Sequence, residues 1–368
     1  MVASPVASRE FLFQLFDVLD VGALLARSRY QEHSGNSLRA VVETFSRLAE
    51  GRSSAGDGQA EALAEGSVGV VPEVVLTLGN GLYQADGQAS RLFRTRSEDL
   101  LAVPMSVILS AWQLFRQKLA GAERSELDAV DSVDLRGRLL SAKTRCEAGL
   151  AMVLYGASLA EDVQSHPDPG HRETSERLLA FLEPVLAWWP GQAAWQAAVS
   201  LGEVPARIPD PVTGSHFARE FLGQRVWSHQ SHGLQLFLQT LQKDLEAAVT
   251  QDTRQWALSL SETLQRAVKV TQLLGKELQA GSRQRVLANA GRYLHLFGEI
   301  VAAWMWLRLA NAATLRLPGA EPEDEAFLRG KLQAARYFFH WNLPEVAQDL
   351  VLLQNQDTTC LDMRSAWF

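Results

Sequence analysis

His229 and His232 stand three residues apart in the stretch RVWSHQSHGLQLFLQTLQKDL (225–245), where a long helix begins. Two imidazoles at that spacing can face the same way on a helix and share a metal ion. A metal site needs a third ligand, and His216 or Glu220 would have to fold in to supply it. Ser228 and Ser231 adjoin the histidines, which raises the question of a serine nucleophile. Such a serine needs a base oriented by a third group, and an oxyanion hole. Residues adjacent in sequence rarely reach that geometry. The plainer reading makes both histidines polar residues at a helix start, with Ser231 as the N-cap of a helix opening near Gly233.

Other chemical signatures are missing. No GxGxxG follows a strand-like run, and neither a GxxxxGKS/T loop, a GxSxG elbow nor an HExxH pair occurs. The chain has 368 residues, 47% hydrophobic and 21% charged, which suits one large helical body or two domains rather than a disordered chain. A formal net charge of −7 gives no footprint for a nucleic-acid surface. Cys146 and Cys360 are far apart, so a disulfide framework is not expected and a reducing cytoplasm fits. The opening MVASPVASRE does not read as a signal peptide. The most apolar run, FGEIVAAWMWLRLANAATL, is interrupted by Glu299 and Arg308, so no membrane span is expected.

The elements that must position these residues read as helices. Apolar stripes at helical spacing appear at Phe11–Leu19, Leu38–Leu48, Val107–Leu119 and from about Asp131 onward. Asp168 followed by Pro169 marks a helix start, and Pro184 should kink the helix it opens. Residues 190–216, rich in Pro and Gly, read as an irregular connection. Leu234–Leu245, Trp256–Leu274 and the nearly all-apolar Leu294–Leu309 follow, the last expected to be central. Pro318-Gly319 breaks it, and the acidic turn Glu323-Asp324-Glu325 opens another helix. Gly51–Gly66 reads as a linker, Asn80-Gly81 is a candidate hairpin turn, and the ten tryptophans read first as packing residues.

From about Arg136 to the end, the chain resembles acyl-CoA dehydrogenases of the large branch with an extra C-terminal helical domain. The resemblance rests on LLSAKTRCEAGLAMVLYGASLAED, LLAFLEPVLAWW, GRYLHLFGEIVAAWMWLRLA and FLRGKLQAARYFFHWNLPEV, in that order, and on the opening FLFQLFDVLDVGALLARSRY. The family's chemistry uses a carboxylate to remove a proton from an acyl-CoA and a flavin, seated partly in a β-barrel, to take the hydride. Aligned on Gly233-Leu234-Gln235, the base position carries His229. The upstream glycine-rich stretch is replaced by VSLGEVPARIPDPVTGSHF, and only Leu119–Asp131 separates the N-terminal helices from the next, where the barrel would lie.

The resemblance therefore implies an all-α protein without a β-barrel. Its expected parts are an N-terminal helical region (1–125) with a linker near 51–66, an acyl-CoA dehydrogenase-like helical bundle (126–250), an extra helical domain (251–353) and a tail (354–368). It implies no catalytic carboxylate, no bound flavin or other cofactor, and a vestigial helix N-terminus at Ser231, Gly233 and Gln235. His229 and His232 remain the candidates for a metal. The implied role is a non-catalytic interaction or regulatory subunit in a homo-oligomer, or in a hetero-oligomer with a true dehydrogenase. An acyl-CoA or fatty-acyl binder without redox chemistry and an active FAD-dependent dehydrogenase are the alternatives.

Overall fold

The computed structural model describes residues 6–31, 34–50, 108, 111, 112, 114–121, 132–202 and 211–368. Among them there is no β-strand, and the elements are helices throughout. The expected linker at 51–66 and the Asn80-Gly81 turn lie outside the described residues. In chain order the helices are α1 (Val6–Phe13), α2 (Val21–Leu25), α3 (Gly35–Glu50), α4 (Val133–Ser165), α5 (Pro169–Ser200) and α6 (Pro211–Gly223). Then come α7 (Ser228–Glu246), α8 (Gln251–Gln279), α9 (Arg283–Ala288), α10 (Ala290–Arg316), α11 (Pro322–Tyr337), α12 (Val346–Asn355) and the short α13 (Thr359–Asp362).

Two long helices, α4 and α5, form an antiparallel hairpin. The short connection between them forces this, and the pairings fix the register. His171 faces Asp162 at 3.3 Å near the turn, while Arg145 donates to Gln196 at 2.9 Å far from it. Asp168 caps α5 by accepting from the Gly170 N–H at 2.9 Å, with Pro169 in the first turn, as the residue types dictate.

The irregular connection expected at 190–216 is corrected by the structure. Helix α5 runs through both Pro184 and Pro190 to Ser200, and α6 begins at Pro211. Each internal proline removes a backbone donor, at about 3 kcal/mol or more. Here the face built from Val185, Leu186, Trp189, Ala193, Ala194 and Ala197 is buried, and apolar burial of this extent outweighs the loss. At Pro211 the same residue type stands at a first helical position, where its missing N–H does no harm.

Helix α10 is the central rod. Every residue from Leu296 to Leu307 is buried, which explains why no polar stripe could be read there. It approaches α5 so closely that a Cβ added at Gly298 would lie 2.1 Å from Trp189 Cδ1, so only glycine fits. Trp306 Nε1 donates to the Thr144 carbonyl at 3.2 Å, tying α10 to α4. Around it Phe181, Phe221, Phe237, Tyr293 and Phe297 form a continuous aromatic layer with neighbouring centroids 4.8–6.2 Å apart. No helix among the described residues is long and apolar enough to cross a membrane.

Candidate functional site

The histidine stretch folds as a clamped turn. After a single 3₁₀ turn at Arg225–Trp227, His229, Gln230 and Ser231 all take left-handed backbone angles, with φ of 49°, 59° and 63°. Such angles cost a non-glycine residue roughly 1–2 kcal/mol each, so the surroundings must enforce them. Trp227 Nε1 donates to the Leu222 carbonyl at 2.6 Å, and the Trp227 ring lies against Gly275. Ser228 Oγ donates to the Gln224 carbonyl at 3.0 Å. Arg225 is gripped by Glu183 at 2.9 Å and Glu220 at 2.6 Å. Gly233 sits on Phe181, whose Cβ would be 2.8 Å from any added Cβ, and this close approach carries α7 onto α5.

The N-cap conformation expected of Ser231 is therefore not adopted. A cap residue holds extended backbone angles, and Ser231 is left-handed. The reason is local: the turn is closed before Ser231 by the 3₁₀ segment and the Trp227 anchor, so the chain enters α7 through the left-handed run.

The turn forms one wall of a cleft of about 320 Å³. It is lined by Ser228, His229, His232 and Gly233, by Arg225, and from α5 by Glu173, Glu176, Arg177, Ala180 and Phe181. His229, His232 and Gly233 are thus brought together, whereas Ser231 and Gln235 are not part of its lining. The two proposed accessory ligands point elsewhere: His216 faces Glu220 at 3.7 Å, and Glu220 is held by Arg225. No group of three or more His, Cys, Asp or Glu side chains placed to hold a metal occurs among the described residues. Cys146 is buried, and burial pushes its thiol up to about 12, so it is an inert packing residue.

Two buried charged clusters escaped the sequence reading. In the first, Lys331 of α11, fully buried, pairs with Glu10 of α1 and lies 2.8 Å from Glu147 of α4, which also pairs with Lys143. Gln14 donates to Glu10 at 2.7 Å and to the Glu147 carbonyl at 3.3 Å. The Lys331 ammonium is boxed by Phe13, Phe327 and Trp306, with centroids at 5.7, 5.1 and 6.0 Å. Burial and the neighbouring Glu147 charge push the Glu10 carboxyl up. Burial also works against the Glu147 charge, but Lys143 and Lys331 together outweigh it and hold that carboxyl low. Further bonds strap the N-terminal segment down: Arg9 to Asp324, Asp17 to Arg316 at 2.5 Å, and Arg27 to Ser165 at 2.9 Å.

In the second, His295 of α10 lies between two buried carboxylates. Its Nδ1 is 2.6 Å from Asp349 of α12 and its Nε2 is 3.6 Å from Glu299 of α10. Trp189 Nε1 donates to Glu299 Oε1 at 3.0 Å, and Arg145 stands 3.9 Å from the same oxygen. Arg292 approaches Asp349 at 3.3 Å. The legible signals were Glu299, a lone acid inside an apolar run, and the spacing of four that pairs His295 with Glu299 and Lys143 with Glu147.

With this geometry in place, comparison with known proteins assigns the C-terminal part of the chain. Residues 237–364 match the family described as acetyl-CoA dehydrogenase C-terminal like. The matched span starts inside α7, just past the histidine turn, and takes in α8 through α13. This part of the molecule is thus an acyl-CoA dehydrogenase C-terminal-like helical domain. No curated protein matches the chain.

Proposed function

We propose that this protein is an acyl-CoA dehydrogenase-like helical subunit that works by interaction or regulation and does not itself oxidise acyl-CoA. The observation that carries this reading is His229. The position aligned with the family's carboxylate base holds an imidazole, exposed and locked in a left-handed turn. The donor set around it does not fit a flavin dinucleotide. Arg225, the half-buried cation of the cleft, is committed to Glu183 and Glu220, and Arg177 is paired with Glu173 at 2.5 Å. Two acidic side chains, Glu173 and Glu176, also face the space where a pyrophosphate would have to lie. What remains is a body of long helices, whose proposed place is in a homo-oligomer or beside a true dehydrogenase subunit.

A test is direct. The purified full chain, incubated with FAD and desalted, is expected to show no flavin absorption, and no acyl-CoA is expected to reduce an electron-accepting dye in its presence. Retained flavin together with acyl-CoA-dependent dye reduction overturns the reading. Co-elution with an acyl-CoA dehydrogenase from the same cells, at fixed stoichiometry, is the positive counterpart.

The cleft favours a second reading, an acyl-CoA or fatty-acyl binder without redox chemistry. Its rim carries His229, His232, Arg177 and Arg225 over the apolar floor of Phe181 and Ala180. The floor weighs against it: Phe181 is itself buried and packs onto Phe221, Phe237 and Phe297. Calorimetric titration with coenzyme A and with a long-chain acyl-CoA separates the two readings, since a binder gives heat with at least one of them.

A further inference from the structure

His295 faces two buried acids, one on its own helix and one on α12. Asp349 on α12 and Glu299 on α10 are both about 2% exposed, and the imidazole lies between them with a different ring nitrogen toward each. A neutral imidazole carries one N–H, so it can donate to only one carboxylate and must turn a lone pair toward the other. A protonated imidazole donates to Asp349 at 2.6 Å and also places its charge 3.6 Å from Glu299, within Coulombic reach but beyond a hydrogen bond. We propose that His295 is a proton-operated latch which, when charged, fastens α12 to the central helix α10 through an ion pair with Asp349 and, when neutral, holds it by a hydrogen bond alone.

The other charged groups facing the cluster do not replace that proton. Arg145 of α4 stands 3.9 Å from both Glu299 and Glu345, too far for a hydrogen bond, and its closer partner is Gln196 at 2.9 Å. Arg292, on α10 itself, is more than half exposed and reaches Asp349 only at 3.3 Å. Glu345, in the turn before α12, adds a further negative charge. Trp189 of α5 supplies one donor to Glu299 Oε1, while Glu299 Oε2 is buried with no hydrogen-bond partner. Burial alone would press the imidazole toward its neutral form, yet the Asp349 hydrogen bond and the Glu299 charge overcome it and raise its pKa. Burial raises Glu299 as well. Both groups bind protons more readily in the folded protein, so both favour the folded junction on the acid side. Stability from His295 is complete below the ordinary histidine pKa of about 6.5 and is lost as pH rises through the higher folded value.

The consequence reaches past α12. Asn289, at the start of α10, donates to the Asp357 carbonyl at 2.7 Å, and beyond it lie the exposed side chains Leu361, Met363, Trp367 and Phe368. The latch therefore sets how firmly that apolar end is held.

Hydrogen–deuterium exchange on the full chain at pH 5.5 and 8.5, corrected for intrinsic exchange, tests it. Protection of amides 346–355 is expected to fall by roughly 3–10-fold at the higher pH, while that of α5 stays constant. His295→Gln is expected to abolish the pH dependence. Equal protection at both pH values, a parallel fall in α5, or the same fall in His295→Gln overturns the proposal. Should that variant not fold, NMR titration of the native imidazole decides. A His295 midpoint above that of free histidine, lowered by Asp349→Asn, supports the latch. A midpoint at or below that of free histidine defeats it.

Discussion

The two buried charged clusters are built from similar parts and behave oppositely. The Lys331 cluster joins α1, α4 and α11 and holds two ammonium groups against two carboxylates, so its charges nearly cancel. The His295 cluster joins α10 and α12 and has too few close donors for its acids. The first ties three helices together through opposed charges and acts as a fixed strut. The second turns on one imidazole whose pKa, lowered by burial, is raised on balance by the Asp349 hydrogen bond and the Glu299 charge, and it adjusts. The difference lies in the cation: two ammonium groups hold the first cluster, and an imidazole, whose charge can be removed by a rise in pH, holds the second.

The largest effect is expected at the strut. Lys331→Met leaves Glu147 and Glu10 buried without their shared cation, and breaking such a pair costs on the order of 3–5 kcal/mol. Urea unfolding should show the loss. Adding Glu10→Gln to Lys331→Met should recover part of it, since one of the orphaned acids is then neutral. If the double variant is no more stable than the single, the two residues do not act as a unit and the strut description fails.

Next in size is the packing that supports the switch. Gly298→Ala drives a methyl into Trp189, the residue that donates to Glu299. Overpacking of this sort costs about 1–3 kcal/mol, read as a lower melting temperature. It should also displace the Trp189 donor and weaken the His295 cluster, so amides 346–355 should lose protection more than those near α1. An even loss everywhere would mean that the two clusters are mechanically coupled.

The two clusters also separate by pH. The Glu147 carboxyl is held low, so its contribution to stability is present above the ordinary carboxylate pKa and is lost as pH falls through the folded value. The His295 contribution runs the other way, lost as pH rises. Stability measured from pH 3 to 9 should then lose its acid-side fall in part in Glu147→Gln, and its alkaline-side fall in part in His295→Gln. Interchange of these two effects would reverse the assignment of strut and switch.

Sequence patterns exposed one kind of information and hid another. Helices with local signals were legible, such as Asp168-Pro169 opening α5, the acidic start of α11, and the unbroken apolar run of α10. The C-terminal likeness was legible too, because long stretches keep their order. The continuation of α5 through Pro190 was not, since it depends on burial against distant helices rather than on propensity. Lys331 was hidden for the same reason. A lysine at a helical position normally reads as surface, and only the fold brings it to Glu10, 321 positions away. His229 and His232 drew attention as a spaced pair, whereas His295, with partners 54 positions away and on the next turn, did not.

The smallest effect bears on what that conspicuous pair is for. If the left-handed run at His229–Ser231 is held only by its neighbours, residues that favour positive φ should relieve it. His229→Gly is expected to stabilise the fold by up to about 1 kcal/mol, part of the relief being offset by the greater freedom of glycine in the unfolded chain. Gln230→Gly should behave alike. A stabilised variant whose other properties, including any partner co-elution, are unchanged would mark His229 as a residue the fold tolerates. A variant that gains stability but loses its partner would instead show that the strain at the turn serves recognition, and would place the working surface of the molecule at the cleft.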